Sequence, residues 1–285
     1  MSILITGGTG SFGRAMVERL LTTEHGNRWR RIIIYSRGEH AQAEMARQLA
    51  PLDSAGRLRF FIGDVRDRDR LRRAFQGVEV VLHAAALKRI EVGEYNPIEM
   101  VKTNVDGSIN VVEAAHDARV QKVVYLSTDK AWQPISPYGQ SKALAESILL
   151  KAYQGGTRFA VTRYGNVWKS AGSVVPVWQS QVARGAAITI TNPEATRFFM
   201  TMPQAVNFVL QAVELMDKGD LLIPELPAYR LGDLAMAISP GSPREVVTGL
   251  PPWEKLHEGM SEDNTSDKAR RMTIEELRAA LDERL

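Results

Sequence analysis

Short continuous apolar runs alternate with amphipathic stretches through the first 165 residues. SILIT (2–6) precedes a helical pattern from Phe12 to about Leu21, and RIIIYS (31–36) precedes one near 39–50. RLRFFIGD (57–64) leads into a charged helical stretch, 67–76, and VEVVLHAA (78–85) into a long one from Pro97 to about Ala118. KVVYLST (122–128) precedes a pattern from Pro137 to about Tyr153, and FAVTRYG (159–165) follows it. Runs that are apolar at consecutive positions suit strands covered on both faces. Their alternation with helices predicts an α/β protein, a Rossmann-like doubly wound parallel sheet. Asn96 ahead of Pro97 and Ser136 ahead of Pro137 read as helix caps, and Thr273 with Glu276 as a capping box.

The pattern changes after Tyr164. Pro and Gly become frequent, and the strands shorten to AITIT (187–191) and LLIP (221–224), with a helix from Pro203 to about Met216. This divides the chain into a nucleotide-binding region, 1–165, and a smaller substrate-binding lobe with a C-terminal helix, 166–285, some later segments returning to the first. SEDNTSDK (261–268) reads either as an exposed linker or as an ordered loop.

Composition narrows the function classes. Lys and Arg number 36 against 33 Asp and Glu, a nearly balanced surface that gives no footprint for nucleic acid and suits at most an anionic small molecule. Cysteine is absent, which excludes disulfides and thiolate metal sites, and the five His show no metal-ligand spacing. MSILITGG lacks a basic region and a long apolar run, and no stretch approaches the length of a membrane span. The expectation is a soluble cytoplasmic protein.

TGGTGSFGR follows the first strand and opens the first helix, and its Gly7, Gly10 and Gly13 suit a dinucleotide pyrophosphate facing a helix N-terminus. At the end of the second strand, where an acidic residue would hold the ribose diol of NAD, stand Ser36 and Arg37. A hydroxyl and a guanidinium suit a 2′-phosphate and point to NADP. Asp64 and Val65 end the third strand, where the adenine would lie, and a helix cap is the other reading of Asp64. Tyr138 and Lys142, four apart, share a helix face. A nearby ammonium would make the phenol a base for a substrate hydroxyl, with Ser127 or Thr128 hydrogen-bonding that hydroxyl.

With these residues the chain resembles the extended short-chain dehydrogenase/reductases, nearly end to end. Within them it is similar to the UDP-N-acetylglucosamine 4,6-dehydratases, particularly the C5-inverting enzymes of the pseudaminic acid type. The matching segments include TGGTGSFG (6–13), FFIGDVRD (60–67), HAAALK (83–88), LSTDKA (126–131), RYGNV (163–167), GSVVP (172–176), TRFFMT (196–201) and EKLHE (254–258). HAAALK and STDKA distinguish this branch from epimerases and glucose dehydratases. The resemblance implies oxidation at sugar C4 by tightly bound NADP, loss of water across C5 and C6, and hydride return to C6. It implies Lys130 as the base at C5 and Asp129 as the acid at C6, with Thr128, Tyr138 and Lys142 completing the catalytic set. Burial under the small lobe is expected to leave Lys130 neutral and Asp129 protonated. The cofactor-facing set extends to Thr9, Ser11, Phe12, Ala84, Ala85, Ala86, Lys88, Asn104 and Tyr164. The UDP-sugar falls to Lys88, Asn166, Ser173, Val174, Arg197 and Glu258, with Arg197 meeting the diphosphate; a lobe-to-lobe salt bridge is the other reading of Lys88 and Arg197.

The chain departs from the family in places. Trp132 and Gln133 stand where small residues are usual, and Trp253 replaces a Gly, so a bulky ring beside Lys130 is expected to alter the sugar pocket. The chain also ends sooner than typical members. A C5-retaining dehydratase, a UDP-sugar epimerase and a non-catalytic NADP-sensing protein are the rival readings. The family further implies a homo-oligomer, dimeric or hexameric.

Overall fold

The computed structural model describes residues 1–170, 172–241 and 244–282. Its elements run β1 (Ser2–Thr6), α1 (Ser11–Thr22), β2 (Arg31–Ser36), α2 (Glu39–Leu49), β3 (Leu58–Ile62), α3 (Arg68–Ala74), β4 (Val80–His83), α4 (Ile90–Tyr95), α5 (Pro97–Met100), α6 (Gly107–Asp117), β5 (Lys122–Leu126), α7 (Pro137–Leu150) and β6 (Arg158–Thr162). They continue as α8 (Val174–Ala183), β7 (Ile188–Ile190), β8 (Thr196–Phe198), α9 (Met202–Leu215), β9 (Asp220–Leu222), β10 (Ala228–Arg230), α10 (Leu231–Ile238), β11 (Glu245–Val247) and α11 (Ile274–Asp282).

Seven strands form one parallel sheet in the order β3-β2-β1-β4-β5-β6-β9. The consecutive apolar residues of each strand divide between two helical layers. Ile3, Ile5, Ile32, Ile34 and Leu82 pack with Met16, Val17 and Leu20 of α1 and Val206 and Val209 of α9. Leu4, Ile33, Val81 and Val123 face the other way, onto Leu71 of α3, Val111 of α6 and Leu149 of α7. A strand with both faces covered needs this all-apolar pattern. This is the Rossmann-like doubly wound sheet that the alternation predicts. A third core joins Trp168, Trp178, Phe199, Tyr229, Leu234 and Leu277 in the smaller lobe. Among the described residues, no helix is long and apolar enough to cross a membrane.

Several elements differ from the sequence expectation. The stretch predicted as one helix from Pro97 is α5, a π-helical segment (Val101–Asp106) and α6 in succession. Such wide turns accommodate a locally fixed side chain, and Asn104 within it is bound at both ends, as described below. Asn96 makes no cap; its amide donates to Val92 O, whereas Ser136 accepts from Gly139 N–H as expected. Thr273 and Glu276 do exchange side-chain and backbone hydrogen bonds. The 261–268 stretch is an ordered loop: Ser266 is fully buried, and it bonds to both the N–H and the carbonyl of Glu258. Late in the chain, α9 packs on α1 and β9 pairs with β6, so both belong to the sheet layers.

Candidate active site

The carboxyl ends of the sheet strands open into a cavity of about 530 Å³. A doubly wound sheet places its ligands there, where loops leave the strands. Gly7, Thr9, Gly10, Ser11, Phe12 and Gly13 line it from the first loop, and Ser36, Arg37, Asp64 and Val65 from the next two. Ala84, Ala85, Ala86 and Lys88 follow β4, and Thr128, Tyr138, Lys142 and Tyr164 close the far side. Gly7 has φ +66°, and a Cβ there would stand 2.9 Å from Ala85 Cα, so two backbone loops meet with no room for a side chain. Gly10 caps α1 without a side chain, and the first turn carries no acidic residue. The helix therefore offers uncapped N–H groups and a positive end to the cavity, a fit for a dinucleotide pyrophosphate. Ser127 is on the same wall, and its buried Oγ has no protein partner.

At the outer end Ser36 Oγ and the Ser36 carbonyl both accept from the Gln42 amide, which fixes the hydroxyl. Arg37 remains more than half exposed and lies 3.9 Å from Asp64. Asp64 does not cap α3; Asp67 does, accepting from Arg70 N–H. Asp64 instead holds the backbone and guanidinium of Arg66, and those bonds outweigh burial and keep its carboxyl below its usual range.

Asn104 does not line either cavity. It stands behind the wall as a hub: Oδ1 accepts from Leu87 N–H at 2.8 Å, and Nδ2 donates to Leu87 O and Ser141 Oγ, each at 2.9 Å. Ser141 in turn donates to the Tyr138 carbonyl. On its other side Ser108 donates to Asn104 O, lies 3.2 Å from His83 Nε2, and His83 Nδ1 lies 2.7 Å from Thr6 Oγ1. Burial, with Lys142 adding to it, pulls the His83 imidazole down to about 3, so it is neutral. A continuous buried chain thus ties the glycine loop to the helix carrying Tyr138. Thr6 and His83 carry a signal in the sequence, since each is the polar last residue of a buried strand.

The residues expected to be catalytic cluster where β5 meets α7. Thr128 Oγ1 donates to Asp129 Oδ1 at 2.9 Å and accepts from Lys130 N–H at 3.3 Å. Lys130 Nζ stands 3.1 Å from Asp129 Oδ1 and 3.3 Å from Glu258 Oε1. Asp129 Oδ2 and Glu258 Oε2 are buried without a partner. Burial raises the Asp129 carboxyl, and Lys130 only partly offsets it. Burial would lower Lys130, but its two carboxylates outweigh that and hold it well above the usual lysine range. The neutral Lys130 expected from burial alone is therefore corrected: two flanking negative charges keep it an ammonium. Glu258, with the same Lys130 and also Arg197 opposing its burial, is held ionised.

Burial pushes the Tyr138 phenol up to about 12, and the cation opposing that is Lys130. Lys142 is turned aside: Nζ donates to Leu126 O at 2.6 Å and lies 3.9 Å from the Tyr125 ring centroid. Burial pulls it down to about 7.

A second cavity, of about 450 Å³, shares Lys88, Thr128, Tyr138 and Asn166 with the first and continues under the small lobe. It brings together all six expected substrate residues: Lys88, Asn166, Ser173, Val174, Arg197 and Glu258. Asp129 is fully buried and not on its wall, although both groups it bonds, Thr128 and Lys130, are. Arg197 is committed within the lobe: it pairs with Glu254 and donates to the Thr196 and Leu256 carbonyls, a salt bridge inside the small lobe and not the lobe-to-lobe one expected as the alternative. Trp132 does not reach either cavity. It packs against Gly259, beneath Arg163, and its carbonyl takes Lys255 Nζ. Trp253 does line the second cavity, together with Trp178, Thr189 and Thr191, which no periodicity in the sequence singles out.

The chain matches the polysaccharide biosynthesis protein family over residues 3–278. It is 43% identical over 270 residues to the UDP-N-acetylglucosamine 4,6-dehydratase (inverting) of Campylobacter jejuni subsp. jejuni serotype O:2, covering 93% of this chain and 78% of that one. It is 42% identical over 275 residues to the UDP-glucose 4-epimerase of Rickettsia akari, covering 94% and 80%. Among solved structures, Pen from Bacillus thuringiensis superposes with a TM-score of 0.90 at 30% identity, covering 98% and 97%.

Proposed function

Because the chain belongs to the polysaccharide biosynthesis protein family, we propose that it is a nucleotide-sugar 4,6-dehydratase acting on UDP-N-acetylglucosamine with inversion at C5. One observation carries this reading beyond similarity. Lys130 and Glu258 line the second cavity together with Tyr138, which both cavities share, and Asp129 bonds Lys130 from behind that wall. A 4-epimerase moves hydride out and back at one carbon and needs only the tyrosine. A second acid–base cluster beside it serves a second proton chemistry, at C5 and C6.

The cofactor is a nicotinamide dinucleotide, and the Ser36–Arg37 pair favours NADP. The glycine loop would hold its pyrophosphate, and Asp64 and Val65 its adenine. When bound, it supplies the acceptor for hydride from C4 and its return to C6. The protein's own residues move the protons. Tyr138, as phenolate, takes the proton of the C4 hydroxyl. The 4-ketone acidifies C5–H, and the Lys130 amine takes that proton once its own is held by Glu258, 3.3 Å away. The C6–O bond breaks as the hydroxyl takes a proton from Asp129 and leaves as water; a proton from solvent then reaches C5 from the face opposite Lys130, which inverts it, and Lys130 passes the proton it took to solvent. Ser173 has no protein partner for its Oγ, and Asn166, whose Oδ1 accepts from Lys130 Nζ at 3.3 Å, keeps its amide N–H groups for the sugar or diphosphate.

The test is the purified protein with UDP-N-acetylglucosamine in D₂O, followed by NMR and mass spectrometry without added reductant. Loss of one water, deuterium at C5 and a 4-keto product are expected, with coupling constants reporting inversion. A C4-epimerised sugar of unchanged mass would establish the epimerase instead. An unchanged sugar with bound NADP would favour the sensing protein.

A further inference from the structure

The polar stretch 261–268 follows Glu258 closely in the chain and returns to it in space. Gly259 bridges antiparallel to Thr265, and Met260 N–H donates to Asn264 O at 2.8 Å. The chain doubles back there and brings Ser266 opposite Glu258. Ser266 N–H donates to Glu258 O at 2.7 Å, and Glu258 N–H donates to Ser266 Oγ at 2.9 Å. One serine thus takes both backbone groups of the glutamate. Ser266 is itself fully buried; its Oγ donates to Thr196 O at 3.2 Å and lies 2.6 Å from Thr196 Oγ1. One proton and two lone pairs cover these three contacts, and they anchor the serine on β8.

The Glu258 side chain has less to hold it. Oε1 meets Lys130 Nζ at 3.3 Å, and Oε2 is buried without a partner. A carboxylate met on one oxygen stands against Lys130 only as well as its backbone is placed. The charged and titratable groups around Lys130 are Asp129 on its own loop, Glu258 and Lys255, Arg197 on β8, Tyr138 on α7 and Tyr229 on β10. Of these, Asp129 and Glu258 favour its charge.

We propose that Ser266 is a positioning residue for the Lys130 base: it fixes the backbone of Glu258 and so holds that carboxylate on Lys130. The inference rests on the dehydratase reading and adds the residue that keeps the base and its proton holder in contact. It also gives the 261–268 loop a role, which is to carry Ser266 back to the site.

The experiment measures kcat, KM and the kcat–pH profile of Ser266→Ala, Glu258→Gln and the double variant. Ser266→Ala keeps the N–H and loses the acceptor for Glu258 N–H. It is expected to lower kcat about fivefold to tenfold, the size of one hydrogen bond, with KM for the nucleotide sugar little changed. The ascending limb of its profile should move to lower pH, as for Glu258→Gln, because a carboxylate drawn off Lys130 no longer favours the ammonium. In the Glu258→Gln background Ser266→Ala should lower kcat no further, since the carboxylate it positions is gone. A purely structural serine would lower the melting temperature, leave the limb in place and multiply with Glu258→Gln, and that result would overturn the inference. So would a Glu258→Gln limb at the wild-type pH, which removes the group to be positioned. If Ser266→Ala does not fold, Ser266→Cys, of similar size and with a weaker acceptor, is read in its place against the same outcomes. A wild type that does not dehydrate the sugar removes the dehydratase reading, whereas a dehydrating wild type with an unshifted Ser266→Ala limb removes the positioning alone.

Discussion

Glu258 Oε1 lies 3.3 Å from Lys130 Nζ, and this contact joins the small lobe to the loop after β5. Together with Asp129 it holds Lys130 charged. If neutral Lys130 is the base, activity rises as pH passes upward through the Lys130 pKa. Glu258→Gln removes one of the two charges that raise that pKa, so the ascending limb of the kcat–pH profile should move to lower pH. The maximal kcat should fall as well, because the amide cannot hold the lysine's proton. A limb that stays in place would separate Glu258 from the base.

Lys142 supplies a stability signature that needs no substrate. Burial lowers it to about 7 from an ordinary 10.5. Between these values the unfolded chain binds a proton that the folded chain does not, so stability rises with pH across the window. From pH 7 to 9 this group should add up to about 2 kcal/mol. Thermal denaturation of the wild type and Lys142→Met at both pH values measures it. The wild type should gain stability relative to the variant, and parallel behaviour would place the titration elsewhere.

The fold was legible because both-sided burial writes itself into strands such as SILIT and RIIIYS as unbroken apolar runs. The glycine-lined wall is legible because close backbone approach demands Gly7 and Gly13 at fixed spacing. Asn104 was read as a cofactor contact, yet its amide is spent on Leu87 and Ser141. Nothing in one sequence distinguishes a polar residue on a wall from one behind it. The charge on Lys130 is hidden for a similar reason: its burial is foreseeable from sequence, but the approach of Glu258, 128 residues away in the chain, is not. The small lobe was least legible, since its short strands and helices α8 and α10 pack through contacts distant in sequence.

Arg163 and Glu146 form a buried pair. Arg163 Nε donates to Glu146 Oε1 at 2.9 Å, and Nη1 donates to Met260 O at 2.6 Å, so α7, the end of β6 and the 260 loop are joined. Glu146→Ala leaves the guanidinium buried without its counter-charge, which typically costs about 3–5 kcal/mol. Denaturant unfolding should show a loss of that order. A loss under about 1 kcal/mol would mean that water or another acceptor reaches Arg163.

Arg37 is exposed and only loosely paired with Asp64, so its removal should leave stability unchanged. Calorimetry should find NADP binding to Arg37→Ala weakened by roughly tenfold or more, the size of a charge-assisted hydrogen bond, with NAD little affected. Equal weakening of both nucleotides would count against a 2′-phosphate contact.

Trp132 and Trp253 both stand out in the sequence as bulky departures, and the structure separates them. Trp132 packs on Gly259 away from both cavities. Trp253 lines the substrate cavity from a tight turn closed by Glu254 N–H to Pro251 O at 3.0 Å. Pro252 precedes it in that turn, and Glu254 after it is held by Arg197 and Thr191. These bonds fix the turn that carries the indole. In a nucleotide sugar the group farthest from the reacting carbons is the base, and an aromatic wall favours it by stacking. Trp253→Ala should therefore raise KM for the nucleotide sugar and weaken UDP by roughly tenfold, with kcat nearly unchanged. Trp132→Ala should lower the melting temperature and leave KM alone. Should Trp132→Ala raise KM and Trp253→Ala leave it unmoved, the ring beside the loop after β5 would shape the site after all.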